Sequence, residues 1–240
     1  MKMKNYNYDE FSSMKYNLDS FSGPEVGSKA PEFSLSTLDN TKVNLLDFSG
    51  DFLVLELGSI TCPLFQGRRE GMSDLVDKFP NISFSVLYVR EAHPGSNIHS
   101  HKTINDKLTR ACELRDEDDE KRKIIIDGID GQAHDSYGGY PNAIFIINKN
   151  GCVVFRSDWN SVPATKAALN KLLNGEPANI KSYFLPVKPT VAIRTLKRSG
   201  KGATRDFLKS LPKLIWKNII RRNVLLLINS EKAISPDASC

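Results

Sequence analysis

The chain has 240 residues, room for one ordinary α/β core with flanking segments or at most two small domains. Its 40% hydrophobic and 25% charged residues exclude a fibrous or wholly disordered polypeptide. The net charge of +5 is unevenly held: residues 181–240 carry 13 Lys and Arg against 3 Asp and Glu, a balance of +10, which leaves −5 on the 180 residues before them.

In chain order, residues 1–26 are rich in Asn, Ser, Tyr and charge without a sustained period and read as a loosely ordered leader. This start is polar where an export signal needs an apolar run, and no stretch reaches 18 uninterrupted apolar residues, so neither a signal peptide nor a spanning helix is expected. From Gly27, alternating apolar and polar residues around Asp39-Asn40 predict a small hairpin. FLVLELG at 52–58 predicts a buried strand, and Phe65, Met72, Leu75, Val76 and Phe79 mark a helix from Pro63 to Lys78. A strand at 82–89, a helix around 102–114, a strand at 123–127 and a short helix around 132–138 follow. AIFIINK and CVVFRS flank Asn150-Gly151 as a second hairpin, and ATKAALNKLLN at 164–174 supplies a further helix.

This order predicts an α/β fold over residues 27–178, a thioredoxin-like mixed sheet flanked by helices, with an N-terminal hairpin and a basic helical C-terminal extension over 179–240. A plain doubly wound sheet would lack the closing hairpin.

The chemistry is expected where the first central strand enters its helix. Cys62 falls at the N-cap, with Pro63 at the first helical position. Backbone N–H groups and the positive helix end there favour a thiolate, so the expectation is a lowered thiol pKa and a nucleophile near neutral pH. Thr61 can donate its hydroxyl to the sulfur or to an attacked oxygen. Phe65 stands where a dithiol motif would place its second cysteine, which disfavours thioredoxin-type disulfide exchange. Glu91 and His93 follow the second central strand, where parallel strands deliver their carboxyl ends to a site, and together could manage protons. Against this stands the alternative that Cys62 is a small buried apolar residue and that Glu91 and His93 are solvated loop residues. Tyr140 and Pro141 precede the strand that in thioredoxin-like domains brings a cis proline to face the active sulfur, so with Pro63 they are expected as walls of the site. Four cysteines at 62, 112, 152 and 240 match neither a zinc spacing nor a secreted disulfide framework and suit a reducing, cytoplasmic setting. Cys112 is the candidate resolving thiol, Cys152 is expected to be packed and Cys240 mobile.

With these residues in place, GSITCPLF followed by LYVREAHPGSNI resembles the iodothyronine deiodinase family, which combines GS-x-T-(Sec/Cys)-P-x-F with YI-x-EAHP-S. The resemblance covers roughly residues 50–175, and the opening from Gly27 is similar to that of peroxiredoxins and other redoxins. It implies reductive removal of iodine from a phenolic ring, with Cys62 taking the halogen, Glu91 and His93 managing protons, and an external thiol of the thioredoxin or glutathione type restoring the enzyme. No bound cofactor or metal is implied. The family's downstream histidine corresponds to His101 in HKTINDKL, with His99 as a competitor. Three positions depart from the vertebrate pattern: Cys62 replaces selenocysteine, Ile60 stands where many members have cysteine, and Ala143 aligns with an arginine associated with hormone recognition. The alternatives are a peroxiredoxin-like peroxidase using the same Cys62, and a non-catalytic redox sensor or membrane-docking scaffold.

In the extension, Lys209, Lys213, Lys217 and Arg221 recur at i, i+4 while Leu211, Leu214, Ile215 and Ile219 form another face, so a basic amphipathic helix is expected over 204–228. It would either dock on an anionic membrane surface, making the protein peripheral, or pack its apolar face on the acidic domain. Nucleic-acid motifs are lacking, the expected partners being a small-molecule substrate and the thiol reductant, with a homodimer left open.

Overall fold

A computed structural model describes residues 6–240. The elements in order are β1 (Ser34–Thr37), β2 (Lys42–Asn44), β3 (Phe52–Gly58), α1 (Pro63–Lys78), β4 (Ser83–Tyr88), α2 (Ile104–Asp116), β5 (Lys123–Ile126), α3 (Gln132–Ser136), β6 (Ile144–Asn148), β7 (Val153–Ser157) and α4 (Val162–Leu173). The seven strands form one sheet in the order β2-β1-β5-β4-β3-β6-β7. Strands β3, β4 and β5 run parallel, and β6 and β7 close the sheet as an antiparallel hairpin beside β3. This is a thioredoxin-like mixed sheet.

Strand β3 is apolar at nearly every position because both its faces are covered. Leu53, Leu55 and Leu57 join one core cluster and Phe52 and Val54 another on the opposite face. Its one carboxylate, Glu56, is buried and accepts hydrogen bonds from Asn142 Nδ2 (2.7 Å), Asn160 Nδ2 (2.7 Å) and Arg122. Asn40 in the β1–β2 turn (φ 62°) and Gly151 in the β6–β7 turn (φ 78°) take the left-handed backbone that tight hairpins require.

Two expectations are corrected. Of the leader, residues 1–5 lie outside the described region, but from Tyr6 onward the segment is packed rather than loose. Tyr6, Tyr8, Phe11, Tyr16 and Leu18 are buried. The Arg90 guanidinium lies over the rings of Tyr6, Tyr8 and Tyr16 at 5.0, 4.9 and 5.2 Å and donates to the Tyr6 carbonyl at 2.9 Å. An aromatic-rich segment can bury large area without any helical or strand period. The second correction concerns the cysteines: Cys152 and Cys240 form a disulfide with Cα atoms 5.6 Å apart, so the C-terminus is tied to β7's turn instead of being mobile.

The extension forms α5 (Pro189–Ser199), then a continuous rod made of α6 (Ala203–Leu214), a π-helical stretch (Ile215–Arg222) and α7 (Asn223–Ile228). Pro212 lies inside α6 and offers no N–H to the turn before it, and the wider π turns begin three residues later.

Candidate active site

Strand β3 ends at Gly58, where a Cβ would stand 2.3 Å from the Phe65 ring, so only glycine lets α1 fold back this closely. The next three residues turn the chain, and Cys62 becomes the N-cap of α1 with Pro63 at the first helical position. The sulfur belongs to a residue only 2% exposed, yet it lines a cavity of about 390 Å³. Pro63 and Pro141 form part of the same lining. Tyr140 stands behind it, its ring 4.9 Å from that of Trp159, which does line the cavity. The Tyr140–Pro141 peptide is trans.

The thiol's expected low pKa is not what this environment produces. Burial pushes the Cys62 thiol up to about 11, and the N–H groups of Leu64 and Phe65 and the Arg68 guanidinium oppose that only in part. At the mouth of an exposed helix the dipole would win; in an apolar cavity desolvation does.

Glu91 is the hub of a buried network. Its Oε2 accepts from the Thr61 hydroxyl (2.6 Å) and the Thr61 N–H (3.2 Å), and its Oε1 accepts from the Tyr88 hydroxyl (2.6 Å). His101 Nε2 lies 3.0 Å from Oε1. Burial alone would raise the Glu91 pKa, but His101, Thr61 and Tyr88 outweigh it and hold the carboxyl below its ordinary value. The histidine paired with Glu91 is therefore His101 and not His93, and the Thr61 hydroxyl gives its proton to Glu91 rather than to sulfur. Its oxygen accepts in turn from the His93 N–H at 3.2 Å, which links network to cavity.

His93 faces that cavity. Its ring packs on Phe11 (4.0 Å) and Phe207 (5.5 Å), and its Nδ1 has no hydrogen-bond partner among the described residues. Burial drives its pKa down to about 3, so the imidazole is neutral. Cys112 sits half-buried on α2 outside the cavity lining, while His99 is exposed.

Several wall residues escaped the sequence reading. Phe11 and Tyr16 come from the leader, and Leu196, Phe207, Leu211 and Leu214 come from the extension, which roofs the cavity. Tyr88 was legible in principle: it ends β4 three residues before Glu91, close enough for its hydroxyl to turn back to the carboxylate.

The family model for iodothyronine deiodinase matches residues 2–160. Thyroxine 5-deiodinase of Gallus gallus is 31% identical over 145 residues, covering 55% of this chain and 56% of that protein. The thyroxine 5-deiodinases of Ovis aries (26%) and Homo sapiens (25%) align over 152 residues, covering 58% of this chain and 51% and 49% of theirs. The chain thus spans about half the length of the curated relatives it matches. Among solved structures, an uncharacterized conserved protein from Geobacillus kaustophilus superposes with a TM-score of 0.52 at 18% identity, covering 67% of this chain and 86% of that one. A hypothetical protein from Sinorhizobium meliloti does so at 0.51 and 14%, covering 63% and 85%. No helix among the described residues is long and apolar enough to cross a membrane. With the family match extending over most of the fold and through every residue of the Glu91 network, the chain belongs to the iodothyronine deiodinase family.

Proposed function

We propose that the protein is a thiol-dependent oxidoreductase that removes a halogen from an iodinated or otherwise halogenated phenol, with Cys62 as the nucleophile. What supports this is one arrangement: the Cys62 sulfur and the His93 imidazole share an apolar cavity, with the Glu91–His101 pair directly behind them. A cavity of about 390 Å³ suits an aromatic ring with bulky substituents, and its walls exclude water from the reacting atoms.

The chemistry balances as follows. The sulfur attacks the iodine as the Cys62 S–H bond breaks, the carbon–iodine bond breaks, its electron pair stays on the ring carbon, and the thiol's proton, relayed by the His93 imidazole, ends on that carbon. Sulfur is left as a sulfenyl iodide. An external thiol attacks that sulfur, releases iodide and leaves a mixed disulfide; a second thiol frees Cys62 and departs in the oxidised disulfide. His93, neutral and with an unpartnered Nδ1, accepts a hydrogen bond from the substrate hydroxyl or the Cys62 thiol. Glu91, Tyr88 and Thr61 hold the loop that carries His93, and His101 is joined to the same carboxylate.

The test is iodide release from an iodinated phenol by the full chain with dithiothreitol as reductant, compared with Cys62→Ser. Release that depends on Cys62 is the expected result. Release unchanged in Cys62→Ser overturns the proposal, as does consumption of hydrogen peroxide by Cys62 with no iodide released, which assigns the sulfur to a peroxidase instead.

A further inference from the structure

The rod formed by α6, the π-helical stretch and α7 is apolar on two faces. One roofs the cavity through Phe207, Leu211, Leu214 and Ile219. The other carries Trp216, Ile220, Val224, Leu227 and Ile228, which are between 44% and 73% exposed, and it begins near Leu208, 56% exposed at the rim of the cavity. Leu208, Pro212, Trp216, Ile220, Val224 and Ile228 follow one another at intervals of four residues. In an α-helix that interval overshoots a full turn by about 40°, so such a stripe winds around the rod. In the wider turns of a π-helix the same interval falls short, and the π-helical segment in the middle turns the stripe back. The result is an exposed apolar ridge about 20–25 Å long, wound less than an unbroken α-helix would wind it.

We propose that this ridge docks on an anionic lipid bilayer. An exposed apolar strip this long calls for a partner. The charge of the extension selects one: it carries 13 Lys and Arg against 3 Asp and Glu. Lys188, Arg194, Lys197, Lys201 and Lys209 are exposed and take no ion pair among the described residues. Lys217 and Arg221 share the single carboxylate of Asp19, so the basic flank stays in excess. Apolar side chains with a tryptophan, lined by Lys and Arg, match the acyl and headgroup layers of an anionic surface. A second copy fits poorly, because pairing two ridges would bring two strongly basic extensions together. Docked in this way, the rod lies in the interface, with its inner face still covering the cavity.

Trp216 makes the proposal directly readable, since the protein's other tryptophan, Trp159, is 5% exposed and packed in the core while Trp216 is 55% exposed. The full chain is mixed with vesicles of phosphatidylcholine alone or with about 30% phosphatidylserine, and binding is followed by flotation and tryptophan emission. Expected are binding to the anionic vesicles with a blue-shifted emission, and binding at least about tenfold weaker to neutral vesicles. Ile220→Asn with Val224→Asn, two exposed positions, should leave the circular dichroism unchanged and weaken anionic binding by at least about tenfold. Lys209→Glu should weaken it with the emission shift retained at saturation. Failure to bind anionic vesicles overturns the proposal, and so does binding unaffected by the double variant. Concentration-dependent dimerisation abolished by the double variant, without vesicle binding, assigns the ridge to a second copy and overturns it equally.

Discussion

Cys62 and His93 share one environment, and it acts on both in the same direction: burial opposes charge, so the thiol rises to about 11 and the imidazole falls to about 3. At neutral pH the pair is a thiol beside a neutral imidazole. Alkylation of Cys62 by a small neutral reagent should therefore keep accelerating through pH 9 and level off only near pH 11, whereas a free thiol saturates about two units lower. Mass-spectrometric rates at Cys62 check this, and a plateau near pH 7 would show that the helix end prevails over desolvation. His93 has a separate consequence for stability. Its folded pKa lies below the unfolded value of 6.5, so the neutral form's stabilisation is complete above pH 6.5 and is lost as pH falls toward 3. Over that window the loss should be on the order of a few kcal/mol. Denaturant midpoints of His93→Leu should fall less steeply over the same range, the remaining slope belonging to His134, which burial also holds well below its ordinary value, and to carboxylates held low in the fold such as Glu91 and Glu120.

Among the elements, the junction of β3 and α1 sets the site more than either element alone. Gly58 lets the Phe65 ring lie against the strand end, and Phe65 is fully buried with Val86, Tyr88 and Ala92 around it. Gly58→Ala forces that ring or the first turn of α1 to move and should cost about 1–3 kcal/mol of stability. Thermal melts would register it together with faster Cys62 alkylation as the cavity loosens; an unchanged melting temperature would mean the helix start has slack. The strands and helices were legible because their periods are strong: β3 as an unbroken apolar run, α1 from its spaced apolar residues, and the closing hairpin from Asn150-Gly151. Cys62, Glu91, His93 and His101 were legible from the motif that carries them. Who pairs with whom was not. A hydroxyl, a carboxylate and two imidazoles can be joined in several ways, and the choice depends on loop paths that leave no period in the sequence. The helix-end argument for a low thiol pKa failed because it omits depth, which here comes from two segments far from residue 62. The leader hid in the same way: its contacts are aromatic and long-range, and Arg90 organises them from 70 to 85 residues away.

At the scale of the whole molecule, the site is a composite. The family match ends at residue 160, yet much of the cavity's roof comes from α5 and the rod beyond it. What ties this second layer down is distributed: Trp159 Nε1 donates to Asn218 Oδ1 at 3.1 Å, Asn223 exchanges hydrogen bonds with the Phe184 backbone, and Arg222 pairs with Asp158. The Cys152–Cys240 disulfide closes a span of 88 residues around the entire extension. A cross-link of that span removes chain entropy from the unfolded state, up to about 4–5 kcal/mol in the loop-closure estimate. The hydrogen bonds at the roof do not depend on it, so reduction should lower stability without opening the cavity. Dithiothreitol should therefore shift the wild-type denaturation midpoint downward and leave that of Cys240→Ser unmoved, while both proteins in reductant keep the same slow alkylation of Cys62 at pH 7. Were the thiol to become reactive on reduction, the disulfide rather than the packed face of the rod would be what holds the roof in place.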